Sequence, residues 1–119
     1  IRDSNKAIEF DPKNQQYYMI RGVAYYRNKN YEKSLDDYNK AIAIDPHGHN
    51  LAVFLSLRSD SYTALGRAAD ALKDLNKVVK LRPQDPAAWM NRASYFVLQK
   101  EWQKAALDLD QVINWAPMG

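Results

Sequence analysis

The sequence predicts an all-α fold, an α-solenoid assembled from antiparallel helix pairs. Four similar segments end in proline, and intervals of 34, 37 and 34 residues separate Pro12, Pro46, Pro83 and Pro117. Within each interval, apolar residues follow the spacing of an amphipathic helix twice. A short helical unit cannot bury its own apolar face, so such units stack on copies of themselves to form a core.

The repeat body keeps a constant length along the chain. A large residue stands 28 positions before each of the last three prolines, at Tyr18, Leu55 and Trp89. The intervals differ because the link between bodies varies, and three extra residues lie within 47–54. We therefore divide the chain into half a repeat followed by three complete repeats, over 1–12, 15–46, 52–83 and 86–117.

The apolar stripes, together with residues typical of helix ends, predict seven helices. Gly66 is typical of a helix C-terminus, because glycine readily adopts the left-handed conformation that often ends a helix. Asp85 followed by Pro86 is typical of an N-terminus. In order, the predicted helices cover approximately residues 1–10, 14–28, 31–44, 50–65, 68–81, 85–99 and 102–115.

Small and aromatic residues recur at fixed positions of the body. A small residue is followed three positions later by an aromatic one in the pairs Gly22 and Tyr25, Ser59 and Tyr62, and Ala93 and Phe96. With the closing prolines, this pattern resembles the tetratricopeptide repeat over nearly the whole chain. The resemblance implies a right-handed solenoid of about three and a half repeats that serves as a scaffold for protein–protein interaction. Trp89 and Trp102 fall at core positions of this repeat.

An arginine stands where the family most often has leucine, and an aspartate also recurs. The residues are Arg21, Arg58 and Arg92, with Asp3, Asp37, Asp74 and Asp108. We predict a ladder of ion pairs with a structural role in registry. The favoured pairing joins neighbouring repeats, namely Asp3 with Arg21, Asp37 with Arg58, and Asp74 with Arg92. The alternative joins residues of one repeat, such as Arg21 with Asp37.

The first helix of each pair carries a second apolar stripe beside the one used for packing. In the family these helices line a concave groove, so the resemblance implies that a partner segment, helical or extended, lies across them. The alternative is that the stripe packs against the parent protein or the adjacent helix pair. The predicted groove residues are Met19, Ile20, Val23, Tyr26, Val53, Leu57, Asp60, Met90, Asn91, Ser94 and Val97.

One subgroup of the family binds acidic C-terminal tails of chaperones. Its members use a carboxylate clamp of lysine, arginine and asparagine at fixed positions on the first helices. At those positions this chain has mostly apolar residues, and only Asn91 is polar. Chaperone tails are therefore disfavoured as partners.

Several other functions are disfavoured by composition. The chain has 119 residues, a mild net charge of +3 and no cysteine. Interleaved charges and an apolar groove argue against nucleic acid, and no apolar run is long enough for a membrane span. Two histidines in His47-Gly48-His49 are too few for a zinc site. Lacking a catalytic constellation, the chain is expected to be neither an enzyme nor a cofactor-binding protein.

The ends of the chain suggest a second function. Solenoids normally need polar terminal caps, yet both ends here are apolar. The alternative to peptide binding is therefore self-assembly through Ile1, Ile8 and Phe10 at one end and Ile113 and Trp115 at the other. The sequence begins inside a repeat and without methionine, so we expect a piece of a longer protein.

Overall fold

The computed structural model describes residues 2–116, which form seven α-helices and no strand. The helices are α1 (Arg2–Phe10), α2 (Gln15–Arg27), α3 (Tyr31–Ile44), α4 (Leu51–Ala64), α5 (Ala68–Leu81), α6 (Pro86–Leu98) and α7 (Trp102–Trp115). The predicted all-α fold is thus confirmed over these residues. The predictions for Ile1 and Pro117 lie outside the described residues.

The two helices of each pair are joined by the same three-residue turn. Its middle residue has a left-handed backbone, with φ of 63° at Lys29, 77° at Gly66 and 60° at Lys100. The next amide bonds back to the carbonyl five residues earlier, joining residues 30 and 25, 67 and 62, and 101 and 96 at 2.8 to 2.9 Å. This Schellman arrangement satisfies carbonyls at the helix end and turns the chain back on itself.

Side-chain caps begin some of the helices. Asn14 accepts a hydrogen bond from the Gln16 amide at 3.0 Å at the start of α2. Asp85 accepts one from the Ala87 amide at 3.0 Å, and Pro86 occupies the first turn of α6 as predicted. These caps set where the first helices of two pairs begin, and so position the surfaces they carry.

The core lies between consecutive helix pairs. One cluster joins α4 to α5 and α6 through Leu55, Val78 and Ala88. A second joins α5 to α6 and α7, where it includes Leu75 and Phe96. The molecule is correspondingly elongated, with extents of 45 × 29 × 25 Å. None of the helices in the described part combines the length and apolar character that a bilayer crossing requires.

The last helix departs from the predicted packing. Trp102 is 61% exposed and Leu109 is 44% exposed, whereas Tyr38, the equivalent of Leu109 in α3, is 1% exposed. The prediction of a core position for Trp102 is therefore wrong. The physical reason is that α4 covers this stripe of α3, while no helix follows α7 within residues 2–116.

Candidate functional site

Three arginines each bind an aspartate of their own helix pair through two hydrogen bonds. Arg21 Nε and Nη2 donate to the two carboxylate oxygens of Asp37 at 2.9 and 2.7 Å. The same arrangement forms two further pairs, Arg58 with Asp74 and Arg92 with Asp108. The favoured prediction of ion pairs between neighbouring repeats is wrong, and the alternative within one repeat is correct. Asp3 is exposed and forms no ion pair within the described residues.

Asparagine, rather than aspartate, links neighbouring repeats. The remaining guanidinium nitrogen, Nη1, of each arginine donates to a preceding repeat's asparagine at 2.9 to 3.1 Å, joining Arg21 to Asn5, Arg58 to Asn39 and Arg92 to Asn76. Each asparagine follows an aspartate by two residues and so lies about 200° further around the helix. The aspartate therefore faces its own repeat and the asparagine faces the next. This regular spacing is visible in the sequence, although our prediction overlooked it.

The three ion pairs, Arg21 with Asp37, Arg58 with Asp74 and Arg92 with Asp108, form what we call the arginine ladder, and their polar groups are already satisfied. The aspartates are 1%, 5% and 3% exposed at Asp37, Asp74 and Asp108. Hydrogen bonding to Asp37 raises the pKa of the Arg21 guanidinium, and Asp74 does the same for Arg58. Bidentate pairs of this kind hold both side chains in one geometry. They leave no carboxylate of the ladder available to a ligand.

The predicted groove residues lie on α2, α4 and α6, and none of them is buried. We call this set the inner face. Its exposed apolar members are Ile20 at 52%, Val53 at 46%, Met90 at 49% and Val97 at 44%. Met19, Val23, Tyr26 and Leu57 are partly buried, whereas Asp60, Asn91 and Ser94 are exposed.

The first of two cavities on the inner face lies between α4 and α6. This apolar cavity has a volume of about 230 Å³, and Val53 and Leu57 form part of its wall. Arg82 and Asp85 lie at its edge. Arg82 also donates a 2.7 Å hydrogen bond to the carbonyl of His49, tying the loop with the extra residues to this edge. Sequence reasoning missed Arg82 at this site, because Arg82 follows α5, a second helix, whereas the predicted groove residues lie on first helices.

The second cavity contains the acidic residue of the inner face. This Asp60 cavity has a volume of about 400 Å³, and its lining includes Tyr26, Asp60, Asn91 and Ser94. Tyr95 and Thr63 also line it, although neither was predicted. The cavity thus brings together predicted residues from three successive first helices.

The electrostatics of this cavity are set by Asp60. Its side chain is open to the cavity, yet neighbouring groups remove enough water to raise the pKa of the carboxyl. The pKa of Tyr26 is raised by burial and then by Asp60, and the same two causes act on Tyr38. Tyr31 packs edge-on against Tyr26, with ring centroids 5.2 Å apart. The negative charge of Asp60 therefore opposes the ionisation of the nearby Tyr26 and Tyr38.

Metal coordination finds no support in the geometry. Within residues 2–116, no three histidine, aspartate or glutamate side chains come together as a metal site would require. The His49 carbonyl instead serves the loop contact with Arg82.

Comparison with known families gives two matches. Models of the tetratricopeptide repeat match residues 16–47 and 57–116. Serine/threonine-protein phosphatase 5 of Rattus norvegicus is 36% identical over 107 residues, which cover 88% of this chain and 21% of that protein. The Hsp70-Hsp90 organizing protein of Triticum aestivum is 27% identical over 104 residues, covering 87% of this chain and 17% of that protein. The chain spans about a fifth of the length of these curated relatives.

The fold is also similar to that of solved structures. The first TPR of Spaghetti (RPAP3), bound to the HSP90 peptide SRMEEVD, superposes with a TM-score of 0.75 at 23% identity, covering 92% of this chain and 84% of that one. PilF of Pseudomonas aeruginosa superposes with a TM-score of 0.82 at 17% identity, covering 99% of this chain and 53% of that one. At these identities the likeness concerns the fold.

Proposed function

This chain belongs to the tetratricopeptide-repeat family of protein-interaction scaffolds, and we propose that its inner face binds a peptide or helical segment of another protein. One observation carries the proposal. Exposed apolar side chains stand on three successive first helices, at Ile20, Val53 and Met90. Exposed apolar side chains that recur on neighbouring helices mark an interaction site more often than isolated ones do. Met90 adds a flexible side chain that can adapt to a partner.

The two cavities give the inner face a shape that suits an extended or helical segment. The apolar cavity accepts an aliphatic side chain, while the Asp60 cavity next to it is lined by both polar and apolar residues. Asn91 lines both cavities, so they are adjacent along the same surface. Side chains from one short segment can therefore occupy both at once.

An acidic chaperone tail is not the partner that we propose, although one structural neighbour holds an HSP90 peptide. The residues of the inner face include no lysine or arginine, and the charged one is Asp60. Arg82, at the edge of the apolar cavity, already donates a hydrogen bond to the His49 carbonyl. An acidic tail would meet like charge there and would lack the cations that a carboxylate clamp supplies. We also propose that the chain has no catalytic activity of its own, because its inner face offers surface rather than a reactive constellation.

Lysine substitutions on the inner face test this function. The variant Val53→Lys, Met90→Lys changes exposed residues and should keep its helicity, while charge placed on the apolar surface should abolish partner binding. The control variant Ile44→Lys, Leu107→Lys adds the same charge at exposed apolar positions away from both cavities. Affinity capture from native extract, with mass spectrometry, should recover a protein with the wild type and the control only. Equal recovery with the inner-face variant would reject the proposal.

Self-assembly through the ends is the second candidate function. Phe10 on α1 is exposed, as are Ile113 and Trp115 on α7, whereas Ile8 is partly buried. Ile1 lies outside the described residues. If the ends stack, Trp115→Glu should lower the sedimentation coefficient at high protein concentration, while the inner-face variant should not. A monomeric wild type would exclude this alternative.

A further inference from the structure

We infer that the Asp60 cavity binds a basic side chain, lysine or arginine, of the segment that occupies the inner face. The inference rests on the proposed function and specifies the chemistry of the partner. Asp60 is the single charged residue among those that line the cavity. Charge complementarity therefore favours a cation as the occupant.

Several oxygen atoms in the lining of the cavity are hydrogen-bond acceptors. The Thr63 hydroxyl donates to the carbonyl of Ser59 at 2.9 Å, and the Ser59 hydroxyl donates to the carbonyl of Ser56 at 2.6 Å. Their protons are thus committed, and their oxygen lone pairs remain as acceptors. With the Asp60 carboxylate, these oxygens suit an ammonium or guanidinium group, which has only donors.

Asp60 also lacks the partner that the aspartates of the ladder have. The aspartates of the ladder each bind a guanidinium within their own repeat, whereas Asp60 forms no ion pair or hydrogen bond within residues 2–116. Asp60 is exposed, so its carboxylate can accept hydrogen bonds from a ligand. A bound cation would supply the missing partner, which gives a basic segment an affinity that an apolar one lacks.

The walls of the cavity suit the stem of a basic residue. Tyr26 and Tyr95 line it with Leu75 and Leu98. The aliphatic stem of lysine or arginine packs well on apolar walls while its charged head reaches polar groups. Tyrosine faces also attract cations directly. Because Asn91 borders both cavities, we expect the partner to carry a basic residue within a few positions of an aliphatic one.

A displayed random dodecapeptide library tests this preference directly. Selection on the wild type should enrich peptides that carry lysine or arginine near an aliphatic residue. Calorimetry with a selected peptide should show about tenfold weaker binding for Asp60→Asn, a value between those of exposed and buried charge pairs. Replacing the basic residue of the peptide by norleucine should weaken binding to the wild type similarly.

Two controls separate the possible results. Asp36→Asn removes the same charge from an exposed position of α3 that lines neither cavity, and should bind as the wild type does. Val53→Lys, Met90→Lys should lose the peptide. Enriched peptides without a basic preference, or with equal affinity for Asp60→Asn, would overturn the inference while leaving the inner face as a binding site. Failure to enrich any peptide would overturn the proposed function as well.

Discussion

The carboxylates of the arginine ladder and the carboxylate of Asp60 occupy opposite environments within one repeat. Asp74 on α5 is buried and receives two hydrogen bonds from Arg58. Asp60, on α4, faces a cavity and has no cationic partner in the described part of the chain. The carboxylate of Asp74 is therefore occupied by a contact within the fold, whereas that of Asp60 is free to contact a partner. Its environment, rather than its identity, determines which role it has.

The position of each aspartate on its helix produces this contrast. Asp74 lies on the side of a second helix that faces the first helix of the same pair, where Arg58 can reach it. Asp60 lies on a first helix and lines a cavity that it shares with Tyr26 and Asn91, on the first helices of the neighbouring pairs. The ladder should therefore control stability, and Asp60 should control binding.

Removing a ladder carboxylate should have the largest effect on stability. In Asp74→Asn the Arg58 guanidinium loses its charged partner in a mostly buried position. We expect the free energy of unfolding to fall by about 3 kcal/mol, because an uncompensated charge remains. Urea denaturation monitored by circular dichroism measures this loss.

A matched control exists in the same helix. Asp70 pairs with Arg67 at 2.9 Å, but both side chains are exposed. Asp70→Asn should cost only about 0 to 1 kcal/mol, as exposed ion pairs do. Equal losses for the two variants would mean that burial does not distinguish the ladder from surface pairs.

A smaller loss of stability is expected at Gly22, which keeps space beside the first ladder carboxylate. A Cβ atom at this position would lie 2.6 Å from the Tyr38 ring and 3.2 Å from the Cβ of Asp37. Tyr38 is buried and cannot move freely, so Gly22→Ala should destabilise the protein by about 1 to 2 kcal/mol, despite the better helix propensity of alanine.

The other repeats suggest how this loss can be reversed. They have Ser59 and Ala93 at the position of Gly22, and leucine at Leu75 and Leu109 in place of Tyr38. Combining Gly22→Ala with Tyr38→Leu should therefore recover part of the lost stability, as denaturant midpoints of the single and double variants will show. Additive losses would mean that the ring does not cause the crowding.

The smallest effect is expected for Asp60→Asn in the unliganded protein. Burial raises the pKa of Asp60 above its ordinary value of 3.8, so the folded state keeps the proton to higher pH than the unfolded chain does. The stability linked to this proton is fully present below 3.8 and is lost as the pH rises through the raised pKa. Relative to Asp60→Asn, the wild type should lose stability over that window.

Thermal unfolding of both proteins at a series of pH values measures this difference. Asp36→Asn controls for the change in net charge, because it removes a carboxylate from exposed surface. A difference between wild type and Asp60→Asn that is constant with pH would show that folding leaves the titration of Asp60 unchanged.

Local rules were sufficient to predict most of the fold. The helix ends agree with prediction because Gly66 and the Asp85-Pro86 pair act through nearby backbone groups. Predicting the ion pairs of the ladder required knowledge of the tertiary structure. Arg21 lies close enough in sequence to several aspartates, and only the rotation of each helix decides which carboxylate faces it. The prediction of a core position for Trp102 was wrong for a related reason. The position of a residue in the repeat does not say whether another helix covers it.

The order of the amino acids alone determined the period, the seven helices, the small residues at helix crossings and the apolar second stripe. These properties depend on spacing and on backbone preferences, which act over a few residues. Tertiary structure decided that arginine pairs within its repeat, that asparagine joins the next repeat, and that Asp60 lies unpaired beside Tyr26 and Asn91. Hydrogen bonds and desolvation depend on distances of a few ångströms between helices, and sequence spacing does not specify those distances.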